Sequence, residues 1–493
     1  MAGPVDDVAC QARLQPGRIA AIDLASGQRW TYAELDRDIG ACARVIAGHG
    51  LRLGDRLAAF AHNHVLLAIL HAACARLGVI YVPLNWRLAE EELASIVADA
   101  EPALLIYDDD RERGMSALSL VELGQAITAA APLETEPHDG HRPSLILYTS
   151  GTSGQPKGAL LSERNLAETA INIGVLARIG NASRVLNDSP MFHVIGLVIN
   201  IRAYWLQGGT VLVSGGFDAA RTIALIADPE LGVTHYFCVP AMAAMLRQHA
   251  DFAADKFRSL TAVFTGGAPN PAAEIIAWLD DGIAMVNGYG MSENGTLICM
   301  PVAIDEIRKR PTSAGVPTAR VEVRVVDQAD RPVPPGTPGE IQVRGPNLAS
   351  GYWRRPEETA KTFLPDGWFV TGDIATIDAE GFVTIADRRK DMYISGGENV
   401  YPVEIESVVA GFAGVAHCAA VGVPDATWGE VGHLFVVAVS EVFDGDALRD
   451  HLATRLARYK MPKRIILIDE LPRNGAGKVQ KNLLRTFEMP SAK

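Results

Sequence analysis

Short apolar strand patterns alternate with helical patterns from the beginning of this 493-residue chain to residue 302. Residues 56–60 and 79–83 are typical of strands, and residues 66–77 between them are typical of a helix, which makes one βαβ unit. The same alternation recurs over residues 184–302. Because βαβ units place parallel strands side by side with helices on the faces, we predict two doubly wound α/β lobes.

The pattern changes twice after these lobes. Residues 310–389 contain short strand patterns separated by turns rich in Pro and Gly, which predicts a small β subdomain. After Lys390, strands and helices alternate again to the end of the chain. We therefore predict an N-terminal domain over 1–389, with α/β lobes over about 1–309 and a β subdomain over about 310–389. A mobile α+β lid domain is predicted over 390–493.

Charge and cysteine usage limit the partners and the compartment. The formal net charge is −13, which argues against nucleic acid or an anionic membrane surface as the main partner. The six cysteines show no Cys-x-x-Cys pair, which favours a reduced, cytoplasmic protein. The most apolar stretch, residues 65–84, is interrupted by His71 and Arg76, so we expect a core helix and strand there and no integral membrane segment.

Residues 148–158 read Tyr-Thr-Ser-Gly-Thr-Ser-Gly-Gln-Pro-Lys-Gly and predict a phosphate-binding loop. Glycines allow close approach of the backbone to an anion, hydroxyls donate hydrogen bonds, and Lys157 adds a positive charge. A buried strand precedes the run, and Ser162 is placed to cap a helix after it. The run lacks the Gly-Lys-Ser/Thr ending of a Walker A loop. A flexible linker is the alternative, but linkers do not place one Lys and one Pro between apolar elements.

Two further glycine-rich segments, 264–269 and 287–293, each follow an apolar strand. Ligands of open α/β sheets bind at the carboxyl ends of the strands, although each segment alone could be an ordinary turn. Tyr289 offers a ring face, and the Glu293 carboxylate could hold Mg²⁺ together with Thr149.

For three polar features in the second half of the chain, a purely structural role is the alternative to a functional one. Asp373 follows a glycine and could accept hydrogen bonds from two ribose hydroxyls. The charged run 387–391 could equally be a solvated turn, and Lys478 in Asn-Gly-Ala-Gly-Lys could be an ordinary surface residue. His193 lies inside an apolar run, where a histidine is more often a core residue than a catalyst.

Together these segments resemble the motifs of the adenylate-forming superfamily, which contains acyl-CoA synthetases, adenylation domains of peptide synthetases and beetle luciferases. The motifs occur in the family order over essentially the whole chain. The resemblance implies that ATP and a carboxylic acid give an acyl-adenylate and pyrophosphate, after which the acyl group passes to CoA with release of AMP. It also implies ATP, Mg²⁺ and CoA as cofactor or co-substrates.

The resemblance assigns roles to the nucleotide site. Lys478 would bridge the carboxylate and the α-phosphate, Arg388 would be a second ribose ligand, and Lys390 would be the hinge of the lid. Ser292 stands where the family usually has Thr, so the hydroxyl is kept. The implied ATP and AMP contacts are Thr149, Ser150, Gly151, Thr152, Ser153, Gly154, Lys157, Gly267, Ala268, Pro269, Gly288, Tyr289, Gly290, Met291, Ser292, Asp373, Arg388 and Lys478. The implied catalytic residues are Lys478, His193, Thr149 and Glu293, the last two also as metal ligands.

The resemblance also places the acid and CoA sites. Gly396, Gly397 and Trp428 would line the CoA site, and charge alone suggests Arg389, Arg458, Lys460 and Lys463 for its phosphates. His193 would act as a positional gate between nucleotide and acid. The implied acid pocket is His193, Ile195, Val198, Phe237, Val239, Phe264, Asn287 and Asn294. Because most of these are apolar, we expect a fatty or aromatic carboxylic acid.

Two differences from relatives restrict the class of acid, and the identity of the acyl acceptor remains open. Malonate-activating relatives carry an Arg where this chain has Asn287, and amino-acid-activating domains carry an Asp near the region that reads Phe192-His193 here. A carrier-protein thiol is the alternative acceptor to CoA. A non-catalytic binding protein is the third reading, but such a protein has no physical need to keep every charged residue of the motifs. Oligomeric state and pathway do not follow from the sequence.

Overall fold

The computed structural model describes residues 6–108, 116–134, 139–149, 156–268, 270–318, 320–388, 391–395, 398–425, 428–440, 443–473 and 478–487.

Strands and helices alternate up to residue 134. The strands are β1 Ile19–Asp23, β2 Arg29–Thr31, β3 Arg56–Phe60, β4 Ile80–Pro83, β5 Leu104–Tyr107 and β6 Ala117–Ser119. The helices are α1 Asp7–Leu14, α2 Tyr32–Gly48, α3 Val65–Leu77, α4 Glu90–Ala100 and α5 Leu120–Ala129. Helix α2 begins with a capping box in which the hydroxyl of Thr31 accepts from the Glu34 amide at 3.2 Å.

The alternation continues through residue 318. The strands are β7 Pro143–Thr149, β8 Lys157–Ser162, β9 Arg184–Asn187, β10 Thr210–Val213, β11 His235–Cys238, β12 Ala262–Thr265, β13 Met285–Met291, β14 Gly295–Cys299 and β15 Val316–Pro317. The helices are α6 Glu163–Leu176, α7 Ala203–Leu206, α8 Ala219–Ala227, α9 Pro240–Gln248, α10 Ala272–Asp280 and α11 Ile304–Lys309, with a π-helix over Ile195–Arg202 and a 3₁₀ turn over Ala254–Phe257. As predicted, Ser162 caps α6, and its hydroxyl accepts from the Asn165 amide.

Strands dominate the next segment, and the last one is mixed. The strands are β16 Glu322–Val326, β17 Gly339–Arg344, β18 Phe369–Ile377, β19 Val383–Arg388, β20 Tyr393–Ser395, β21 Glu398–Val400, β22 Val415–Asp425, β23 Gly429–Ala438 and β24 Arg464–Leu467. The helices are α12 Pro356–Thr362, α13 Pro402–Ala410, α14 Gly445–Ala453 and α15 Lys481–Arg485, with a 3₁₀ turn over Arg458–Lys460.

Two large sheets form the α/β part, as predicted. The nine-stranded sheet has the order β15-β14-β13-β12-β11-β9-β10-β1-β2, and the six-stranded sheet has the order β6-β5-β3-β4-β7-β8. Their inner strands pair in parallel, for example β9 with β10 and β11 with β12. Strands β1 and β2 join the sheet of the later residues, so the two lobes interleave in sequence.

Two smaller sheets follow. Strands β16-β17-β18-β19 form an antiparallel sheet, which agrees with the predicted β subdomain. The last sheet has the order β21-β20-β23-β22, with β24 paired to β23, and it packs with α13 and α14 around its own apolar cluster. The predicted hinge, Lys390, lies outside the described residues, and the boundary at that position stays a prediction.

The 148–158 run is followed by strand β8, which pairs antiparallel with β7, and the predicted helix begins after that strand at Glu163. One expectation about local structure is wrong. The segment 287–293 is largely a continuation of β13, which pairs with β14. Gly290 permits this pairing because a Cβ at that position would run into the backbone of Gly295.

The six cysteines all fall in described segments, and each is a free thiol. None of the helices that the structure describes is both long and apolar enough to cross a membrane.

Candidate active site

The predicted nucleotide residues gather where β7, β12 and β13 end at the carboxyl edges of the two large sheets. Thr149 ends β7, and its hydroxyl donates to the carbonyl of Lys157 at 3.3 Å across the β7–β8 pair. Gly267 and Ala268 are exposed immediately after β12. The residues Gly288, Tyr289, Gly290 and Met291 belong to β13, and Ser292 follows in the turn to β14. The predicted nucleotide contacts at 150–154 and at Pro269 lie outside the described residues.

Lys157 is held by a carboxylate that sequence reasoning missed. Its ammonium forms an ion pair with Glu358 of α12 and lies 5.7 Å from the ring centroid of Tyr352. The hydrogen bond and the charge of Lys157 lower the pKa of the Glu358 carboxyl. Lys157 is therefore placed between two groups of the segment that leads into and forms α12.

Glu293 is fixed from the same segment. The hydroxyl of Tyr352 donates to Glu293 Oε1 at 2.9 Å, and the amide of Ala349 donates to the Glu293 carbonyl at 2.6 Å. Burial and the charge of Glu293 raise the pKa of the Tyr352 hydroxyl, so it stays a proton donor at neutral pH. The carboxylate is largely buried and keeps one geometry.

The residues present fit a cation whose ligands come mainly from phosphates better than one whose ligands all come from the protein. The described part of the chain contains no group of three or more His, Cys, Asp or Glu side chains that could enclose a metal. Mg²⁺ in nucleotide sites takes most of its ligands from phosphates and water, with one or two carboxylates from the protein. The single buried carboxylate of Glu293 suits that arrangement.

The proposed ribose ligands lie opposite one another on neighbouring strands. Asp373 of β18 pairs in register with Arg388 of β19. The Asp373 carboxylate is largely buried, and its Oδ2 accepts a 2.6 Å hydrogen bond from the hydroxyl of Tyr289. The contact joins the antiparallel sheet of the β subdomain to β13 of the large sheet.

His193 lies beside two cations from distant parts of the sequence. Its pKa is lowered to about 4, first by burial of the ring and then by the charges of Lys478 and Arg87. Its ring also contacts the edge of Phe192, with centroids 4.5 Å apart. Lys478, from the end of the chain, therefore lies close enough to the predicted gate to act on it, and the imidazole is neutral at pH 7.

Arg87 is a second residue that sequence reasoning missed. Its guanidinium lies 4.8 Å from the ring of Trp86 and 5.9 Å from the ring of Phe192, and burial lowers its pKa. The residue follows β4, which ends at the same carboxyl edge as β7. That position was the available signal, because polar residues after a parallel strand are candidates for ligand contact.

The predicted acid pocket consists of apolar side chains and two asparagines. Ile195 and Val198 belong to the π-helix, and Phe237, Val239 and Phe264 lie on or just after β11 and β12.

The two predicted asparagines make structural hydrogen bonds. Asn287 accepts from the hydroxyl of Thr265 at 3.0 Å and donates to the carbonyl of Pro311 at 3.1 Å. Asn294 is wholly buried and accepts from the amide of Met291 at 2.9 Å. The side-chain oxygens of both asparagines are therefore engaged, whereas Nδ2 of Asn294 is buried without a hydrogen-bond partner.

The predicted CoA residues lie on the last sheet. Trp428 is 57% exposed, and Gly396 and Gly397 lie outside the described residues. Lys460 pairs with Glu404 at 2.5 Å, and Lys463 pairs with Asp425. These two lysines already have carboxylate partners, so the suggestion that they bind CoA phosphates gains no support. Arg458 is exposed, and Arg389 falls outside the described residues.

Known proteins are similar to this chain over nearly its whole length. Feruloyl-CoA synthase of Amycolatopsis sp is 39% identical over 487 residues, which cover 96% of this chain and 97% of that protein. Fatty acid–[acyl-carrier-protein] ligase ScoC of Streptomyces coeruleorubidus is 36% identical over 497 residues, which cover 94% and 92%. The structure of o-succinylbenzoate CoA synthetase (MenE) from Bacillus subtilis with the acyl-adenylate intermediate OSB-AMP is 29% identical, has a TM-score of 0.90, and is covered over 100% of both chains.

The family models match both parts of the molecule. The model described as AMP-binding enzyme matches residues 8–353, and the model described as AMP-binding enzyme C-terminal domain matches residues 404–478. These two matches and the similarity to feruloyl-CoA synthase show that the chain belongs to the AMP-binding enzyme family of the adenylate-forming superfamily.

Proposed function

We propose that this protein is an AMP-forming carboxylate–CoA ligase that activates a fatty or aromatic acid through an acyl-adenylate. The hydrogen bond from Tyr289 to Asp373 carries the proposal, because it joins two predicted nucleotide contacts that belong to separate sheets. Lys478 would neutralise the negative charge that accumulates when a carboxylate attacks a phosphate.

In the first step, a carboxylate oxygen attacks the α-phosphorus of ATP, and the bond from that phosphorus to pyrophosphate breaks. Lys478 stabilises the developing charge, and Lys157 holds the departing phosphates. Asp373, opposite Arg388, orients the ribose. Mg²⁺, when bound, would neutralise polyphosphate charge and would be held by Glu293 and Thr149. His193 is neutral at pH 7, so it separates acid from nucleotide without adding charge.

In the second step, the thiol of CoA attacks the acyl carbon, the bond to AMP breaks, and the thiol proton leaves to solvent. The exposed indole of Trp428 and the β20–β21 turn supply the surface for CoA. Because Lys478 and this turn belong to the same C-terminal segment, each would serve its own step by a rearrangement about Lys390.

A carrier-protein thiol is a second candidate acceptor. The similarity to ScoC, whose name states that it ligates fatty acids to an acyl carrier protein, favours it. The activation chemistry is the same for both acceptors, so the test must concern the second step.

The test is pyrophosphate and AMP release over a panel of fatty and aryl acids, with and without CoA. Multiple turnovers that need CoA and give acyl-CoA support the ligase. A single-turnover burst of pyrophosphate that CoA does not relieve, but a phosphopantetheinylated carrier protein does, would replace CoA with the carrier. The absence of pyrophosphate release with every acid would refute both.

A further inference from the structure

We propose that the acid site takes a compact acid with one aromatic ring, because a fixed column of aromatic side chains closes the pocket behind His193. This inference rests on the proposed function and names its substrate class. It excludes long saturated chains, which the general apolar character of the pocket would accept.

A stacked pair of phenylalanines forms the floor. The parallel register of β11 and β12 places Phe237 directly beside Phe264. Their rings are 4.4 Å apart and inclined by only 10°. Phe237 is 6% exposed and Phe264 is 2% exposed, whereas Val239, two residues nearer the carboxyl edge, is partly exposed. Two strand residues span about 7 Å, so the change from a partly exposed to a buried side chain takes place over about that distance along β11.

The aromatic column continues beyond Phe264, and hydrogen bonds fix the orientation of its next ring. His235 stacks on Phe264 at 6.0 Å with an inclination of 6°, and Tyr204 meets His235 edge-on at 5.6 Å. Both nitrogens of His235 are engaged, Nε2 with the carbonyl of Ala177 at 2.9 Å and Nδ1 with the hydroxyl of Thr234 at 2.8 Å. A ring held at both nitrogens cannot turn aside to open a tunnel without losing buried hydrogen bonds.

The opposite wall is also fixed. Asn187, at the end of β9, donates to the carbonyl of Gly196 at 2.8 Å and accepts from Asn200 Nδ2 at 3.0 Å. Both partners belong to the π-helix, a conformation that occurs frequently at functional sites. Gly196 packs so closely on the Pro190 backbone that a Cβ would collide with it. These contacts hold the π-helix against β9, so we expect it to keep its position relative to the Phe237–Phe264 pair.

A planar ring suits a shallow site with an aromatic floor. Aromatic rings gain from offset or edge-to-face contact with other rings, and a ring-bearing acid makes such contact with Phe237. A long alkyl chain would have to displace at least one buried ring of the column, because close-packed interiors do not yield by small adjustments.

The experiment compares phenylacetate and cinnamate with decanoate and palmitate. We expect kcat/KM for the ring acids to exceed that for palmitate by about tenfold or more in CoA-dependent AMP release. The second readout is equilibrium binding of the matching acyl-sulfamoyl-adenosines, which needs no turnover. Equal or better use of palmitate in both readouts would overturn the inference and leave the ligase intact. If no acid turns over but binding still favours the ring compounds, the proposed function fails and the pocket inference stands.

Variants then test the floor itself. Phe264→Ala should raise relative binding and use of decanoate, with Phe264→Leu as the milder change if the first does not fold. Phe257→Ala is the matched control, because Phe257 is equally buried but packs against Phe252 and Trp278 instead. It should leave the acid preference unchanged. A folded Phe264 variant with the wild-type preference would refute the floor.

Discussion

Replacing Lys478 with alanine tests the arrangement from which the proposed chemistry follows. Burial is the largest of the three causes that lower the pKa of His193 from its ordinary 6.5 to about 4, and Lys478 is the second. Lys478 therefore accounts for less than half of that difference. In Lys478→Ala, the pKa of His193 should rise and remain below the midpoint of these two values.

The same change should affect the two half-reactions unequally. Loss of one preorganised donor to a developing charge costs about 10²–10³ in rate, or about 3–4 kcal/mol. We expect that loss in acyl-adenylate formation, measured by pyrophosphate exchange. Thioester formation from a supplied acyl-adenylate should stay near the wild-type rate, because Lys478 has no part in the attack of the thiol.

Lys481→Ala is the matched control, because Lys481 lies three residues away and pairs with Glu406 at 2.8 Å. It should leave both the histidine pKa and adenylation unchanged. The pKa is read from the imidazole resonances by NMR titration. An unchanged pKa of His193 in Lys478→Ala would mean that the two residues are not neighbours in solution. An equal fall in both half-reactions would refute the role in adenylation.

Three further changes test the neighbouring groups. Tyr352→Phe removes a hydrogen bond to the Glu293 carboxylate, and hydrogen bonds to charged groups contribute about 1.5–3 kcal/mol. The kcat/KM for MgATP should therefore fall by about tenfold to a hundredfold, while the KM for CoA is unchanged. An unaltered kcat/KM for MgATP would refute the role of Tyr352 in positioning Glu293. Glu358→Gln releases Lys157 from a partly exposed and therefore weak ion pair, so the KM for ATP should fall a few-fold at low salt. A rise in that KM would show that Glu358 positions the lysine. Burial raises the pKa of Asp188 to about 6 from 3.8, so the folded state keeps a proton that the unfolded state has lost, and stability falls as pH rises through that window. Between pH 4 and pH 7, the free energy of unfolding of Asp188→Asn in urea should therefore rise by about 2 kcal/mol relative to wild type, and a pH-independent difference would contradict the assignment.

Local patterns were sufficient for much of the fold. Strand β3 has the predicted bounds, because it is a short apolar run between turn residues. The second half of β13 was predicted to follow the strand as a loop, because glycine and polar residues are poor strand formers. It is a strand because β14 pairs with it, and such pairing depends on tertiary contacts that a local pattern does not contain.

The same limit applies to the site. The motif residues that bear charge, such as Lys157 and Glu293, could be found because each follows a strand or a turn with a recognisable composition. Their partners could not, because Tyr352 is 59 positions from Glu293 and Glu358 is 201 positions from Lys157. Nothing in the local sequence of a tyrosine or a glutamate on a short helix indicates which distant side chain it will meet.

These long-range contacts also explain where the nucleotide site can form. The Tyr289–Asp373 hydrogen bond joins β13 of the nine-stranded sheet to β18 of the antiparallel sheet, and the Tyr352–Glu293 bond joins the segment before α12 to the β13–β14 turn. The groups proposed for the ribose and for Mg²⁺ are therefore oriented by the packing of separate sheets and segments. Donors and acceptors fixed in this way need little reorganisation when charge develops, which is the condition under which they accelerate a reaction. Lys157 differs, because its present partner, Glu358, and a phosphate are both anions and compete for the same ammonium. We therefore expect ATP binding to weaken this contact, and the position of α12 to report whether the polyphosphate is bound.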